Sequence, residues 1–110
     1  MNVVVLIGRA TRDTEVREAG ETKIARYTLA VDRIGKKDEA DFINIIAFGK
    51  GADFAEQYIK KGIKIAVEGR IRTGSYEKDG QRVYFTEVIA DRQEFVESKK
   101  KDIDESAPWE

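Results

Sequence analysis

The sequence predicts an all-β domain, a five-stranded Greek-key barrel with one helix between its third and fourth strands. Three observations carry that prediction. Five segments of strand length are rich in apolar residues, and three of them alternate apolar with polar. One segment repeats at helical spacing. That segment falls after the third strand-like segment and before the fourth.

The first strand is read over residues 2–8, "NVVVLIG", a continuous apolar run of the kind that is covered on both faces. In a small antiparallel domain the second face then calls for a partner, so this strand is the expected pairing surface between subunits. Residues 9–23 are polar and turn at Gly20. The second strand, 24–33, points Ala25, Tyr27, Leu29 and Val31 one way and Arg26, Thr28, Ala30 and Asp32 the other. After a loop at 34–40, the third strand "ADFINIIAFGK" puts Ile43, Ile45 and Ala47 on one face. Phe42, Asn44, Ile46 and Phe48 take the opposite face.

The helix is expected over 51–62, with Phe54, Ala55, Tyr58 and Ile59 as its apolar stripe. Lys60 and Lys61 suit its negative end, and Gly62 is the expected cap. The fourth strand, 64–76, turns Ile65, Val67 and Ile71 inward and Glu68, Arg70, Arg72 and Tyr76 outward. A hairpin turn at Asp79-Gly80 leads to the last strand, 83–90. Tyr27, Phe54, Tyr58, Tyr84 and Phe85 are assigned to core or interface. Three strands, a helix and two strands is the order of the OB-fold. Residues 1–96 form that domain, and residues 97–110, without periodicity, read as a short flexible acidic tail.

Composition removes several function classes. There is no Cys and no His, hence no disulfide, no Cys/His metal site and no histidine base. Neither a cofactor nor a metal is expected. No apolar run approaches the ~20 residues that cross a bilayer and no signal peptide precedes the first strand, so a cytoplasmic, nucleoid-associated protein without membrane contact is expected. The net charge of -1 hides an asymmetry: residues 101–110 hold Lys101 against Asp102, Asp104, Glu105 and Glu110, leaving the rest mildly basic.

Two rings on a strand face that also carries Asn44 fit either a second core or a platform built to be touched. A platform for unpaired nucleic acid needs rings on which bases stack and cations beside the phosphates. Phe42 and Phe48 on one strand and Arg70, Arg72 and Tyr76 on another supply both.

The blocks "VVLIGRATRDTEVR", "IARYTLAVDR", "ADFINIIAFGK", "YIKKG" and "VEGRIRTGSYEKDGQRVYFTEVIAD", in this order, resemble the bacterial single-stranded DNA-binding protein (SSB) family across residues 1–96. The resemblance implies an OB-fold assembled as a homotetramer. It also implies coating of single-stranded DNA in replication, recombination and repair, without catalysis. Phe42, Phe48 and Tyr76 stand at positions of the family's stacking rings. Lys50, Lys61 and Arg72 fall at or close to its basic positions, and Arg70 and Asn44 join them by sharing the same faces. A fourth stacking position falls near Ile34 or Gly35, neither of them aromatic.

In the tail, Asp104, Glu105, Pro108 and Trp109 resemble the family's acidic tip, which recruits replication and repair proteins. Trp stands in the place of Phe, Glu110 is added, and the linker is nearly absent, as in short paralogues and mobile-element versions. Two other classes compete. An OB-fold nuclease needs clustered carboxylates, and the acids here are scattered. A protein-interaction adaptor, or a phage or plasmid accessory protein with weak nucleic-acid binding, is compatible with the short tail.

Overall fold

The structure, a computed structural model, describes residues 1–36 and 38–96. Seven elements follow one another: β1 (Val4–Ala10), β2 (Glu15–Ala19), β3 (Thr22–Asp32), β4 (Ala40–Phe48), α1 (Lys50–Tyr58), β5 (Lys64–Lys78) and β6 (Gln81–Phe95). The strands form one mixed sheet in the order β1-β5-β6-β4-β3-β2. β1 also meets β3 at Arg9–Ala30 and Ala10–Leu29. All pairings are antiparallel except β4 with β6, which run parallel at Ile45–Val88 and Ile46–Ile89. This is an OB-fold-like sheet with a single helix among the described residues.

The alternation in the sequence placed the core. Ala25, Tyr27 and Leu29 of β3, Ile45 of β4, Ile65 and Val67 of β5 and Val88 of β6 are buried together with Ala52, Ala55 and Ile59. The Tyr27 hydroxyl donates to Gln93 Oε1 at 2.7 Å, and Gln93 Nε2 donates to the Gly51 carbonyl at 3.0 Å. A buried ring thus keeps its polar end satisfied while tying α1 to the sheet, and burial pushes the phenol pKa up. Lys23 pins the other side of the helix through Asp53 at 2.8 Å and through Glu56. Those bonds, Asp53 first, raise its pKa.

Three elements depart from expectation. The sheet has six strands, because residues 15–19 pair with β3 from Glu15–Arg26 to Ala19–Thr22. In "EVREA" Val16 alone turns inward, so backbone pairing at an edge defines this strand rather than apolar burial. The helix ends at Tyr58, four residues before Gly62. Ile59 turns extended (φ -92, ψ 97), and its carbonyl accepts from Thr14 Oγ1 at 2.9 Å. Gly62, with φ 90, serves the following turn and donates to the Ala10 carbonyl at 2.8 Å.

The last two strands are the third departure: each has 15 residues, with a register shift at Glu68/Gly69. A Cβ on Gly69 would stand 1.9 Å from the Ile89 carbonyl oxygen, so the close approach at the shift requires glycine. On β1, Val4 and Leu6 pack inward, while Val5 and Ile7, with Val3 just before the strand, are exposed on the single chain. Among the described residues, no helix is long and apolar enough to cross a membrane.

Candidate functional site

Strands β3, β4, β6 and β5 lie side by side, and their outward residues make one continuous face. On β4 the period of two sends Phe42 and Phe48 outward, 67% and 38% exposed, about 20 Å apart along the strand. Asn44 lies exposed between them. Ile46 shares their side yet is 1% exposed, flanked by Arg26 on β3 and Ile89 on β6. Buried in this way, it offers no surface to a platform.

Beyond Asn44 the face sinks into a groove of about 390 Å³, lined among others by Arg26, Thr28, Asn44, Arg72, Tyr76, Phe85 and Glu87. Thr28 Oγ1 donates to Asn44 Oδ1 at 3.3 Å, which leaves the Asn44 amide hydrogens for a ligand. Tyr76, 51% exposed, stands beside Phe85 with ring centroids 6.4 Å apart and planes tilted by 33°. Phe85 lies across Gly74, where a Cβ would come within 2.4 Å of its ring. The glycine makes room for the ring that supports Tyr76.

The cations are divided. Arg72 donates to Glu87 from Nε at 2.9 Å and again from Nη2, and Arg70 donates to Asp91 at 2.6 Å. Lys50, the first residue of α1, and Lys61 are exposed and make no side-chain ion pair among the described residues. Lys50 follows Phe48 by two residues at the end of β4. Lys61 sits on the turn after the helix, its backbone amide donating to Asp13 Oδ1 at 2.9 Å, and it does not line the groove.

Asn44, Arg72 and Tyr76 therefore meet in one groove. Phe42 faces an adjoining apolar cavity of about 340 Å³ with Val4, Leu6, Ile71 and Val88. Ile71, expected inward, is substantially exposed there, because β5 has by then run past the core. Ile34, at the position of the missing ring, is fully exposed. Asp104, Glu105, Pro108 and Trp109 lie outside the described residues.

Several groove residues escape the sequence reading, among them Phe85, Glu87 and Arg26. Phe85 reads as core or interface, and Glu87 is a single acid in an apolar strand. Arg26 stood on the outward side of its strand, but the cross-strand partner that gives it meaning is sixty-one residues away. Tyr84, also assigned to core or interface, is exposed on this single chain.

Residues 1–96 match the model of the single-strand binding protein family. A "Single-stranded DNA-binding protein" of Clostridium perfringens is 56% identical over 101 residues, covering 89% of this chain and 67% of the relative. "Single-stranded DNA-binding protein 1" of Staphylococcus aureus is 47% identical over 109 residues, covering 93% and 69%. "Single-stranded DNA-binding protein 3" of Clostridium acetobutylicum is 48% identical over 103 residues, covering 88% and 72%.

Proposed function

Since the chain belongs to the single-strand binding protein family, we propose that it binds and protects single-stranded DNA without sequence preference, in replication, recombination and repair. The observation that carries the reading is the exposure of Phe42, Phe48 and Tyr76 on strand faces that also hold Asn44 and arginines. Every base has a flat face, so rings accept any sequence, each stacked base contributing ~1–3 kcal/mol. Lys50, Arg70 and Arg72 meet phosphates, and Lys61 extends that set beyond the groove. Such contacts release counterions, so binding weakens as salt rises. The function is binding; no bond is made or broken.

The pairings β1–β5, β5–β6, β6–β4, β4–β3 and β3–β1 are read as a closed five-stranded barrel, with β2 as an added edge strand. The proposed assembly is a homotetramer, with β1 as its pairing surface. Val3, Val5 and Ile7 are an apolar row open to water in one chain, and the strand pairs with β3 at Arg9 and Ala10. Asp104 and Glu105 with Pro108 and Trp109 form the anchor for replication and repair proteins, the ring filling an apolar pocket and the acids meeting its basic rim. The reading places the protein in the cytoplasm, on the nucleoid.

The test is a titration with oligo-dT, with mass by light scattering. Phe48→Ala combined with Tyr76→Ala is expected to weaken binding at least ten-fold while mass and melting temperature hold. Unchanged affinity rejects the stacking platform, and a monomer by mass rejects the tetramer.

A further inference from the structure

Glu87 is out of place on a face that meets a polyanion. It is 6% exposed and lies at the bottom of the groove. Its Oε1 accepts from Arg26 Nη1 at 3.3 Å, and its Oε2 accepts from Arg72 Nε at 2.9 Å. The two guanidiniums come from β3 and β5, on either side of the strand pair β4 and β6. Both remain about half exposed, so each keeps donors for the groove. Stripping either from Glu87 would leave a buried carboxylate with one partner in place of two, which opposes exchange of Glu87 for phosphate.

We infer that Arg26, Glu87 and Arg72 act as one unit with a single net positive charge, in which Arg26 is a further phosphate-binding residue and Glu87 a positioning residue. Glu87 fixes both guanidiniums before DNA arrives and cancels one of their charges. The groove as a whole repeats the pattern: Arg12 and Glu15 at its rim add one charge of each sign. Stacking then carries more of the affinity than the count of arginines suggests. This inference rests on the proposed single-strand binding.

The charge of the unit is readable in the salt dependence of oligo-dT binding, where each neutralised phosphate contributes ~0.7 to the slope of log K against log salt. Arg26→Gln is expected to make the slope shallower by about 0.7 for each occupied groove. Glu87→Gln is expected to steepen it by about the same amount and to tighten binding at low salt. The double variant, with one net positive charge again, is expected to return to the slope of the unaltered chain.

Melting curves of all four proteins separate loss of fold from loss of contact. Slopes unchanged by both single variants overturn the inference, and so does a double variant that fails to compensate while still folded. If the unaltered chain itself does not bind dT at low salt, the functional reading fails as well.

Discussion

At the end of the helix, Phe54, Tyr58 and Phe95 touch one another, with centroids 5.1 to 5.6 Å apart. On the strand face, Phe42 and Phe48 have no ring neighbour among the described residues. Exposure does not separate the two groups, since Tyr58 and Phe95 are as open to water as Phe48. What separates them is whether the flat faces are already used. The first group packs ring on ring, two pairs tilted and Tyr58–Phe95 edge to face, and holds α1 on β6. The second is spaced by Asn44 and Ile46, and its faces are free to take something flat.

Removing a ring from each group is the way to break that comparison. Phe54→Ala is expected to cost about 2–3 kcal/mol of stability, read from urea unfolding, because Phe54 contacts both of the other rings. Its dT affinity, measured where the protein is still folded, is expected to stay within two-fold. A large loss of affinity there would make the helix cluster part of the binding face.

Tyr27 adds a third condition, a ring sealed in the core with one polar end. Tyr27→Phe removes a hydrogen bond worth about 1 kcal/mol. It also changes the alkaline limb of stability. Burial raises the folded pKa above the unfolded ~10, so this stability is complete below pH ~10 and drains as pH climbs beyond it. The Phe variant is expected to lack that drain in melting curves taken from pH 9 to 11; an identical decline would assign it to other groups. The smallest effect is expected of Gly74→Ala. It pushes Phe85 aside and tilts Tyr76, lowering dT affinity about three-fold with little change in melting temperature. No change would mean that Tyr76 stacks without support from Phe85.

The sequence showed most of what depends on local period. Tyr27 and Leu29 alternate with Arg26 and Thr28, and the burial of β3 follows. It showed Phe42 and Phe48 as a pair for the same reason. It did not show β2, whose five residues bury little, nor the full reach of β6, since "DRQEF" is polar and is held as strand by its pairing with β5. Nor did it show the Arg26–Glu87–Arg72 unit. Three charges on three strands have no common period, and only the register of the sheet brings them together.

The hairpin of β5 and β6 has a consequence for the groove. The last pairing to a third strand is Ile45–Val88, and Asn2 clips the outer edge at the amide and carbonyl of Ile71. Beyond those points two strands continue alone to the Asp79–Gly80 tip, and a bare ribbon of that kind is marginal in water. Tyr76 therefore rides on a lever while Phe48 stands on bedrock. A ligand that touches both stiffens the lever, and the freedom lost there is subtracted from whatever its contacts gain.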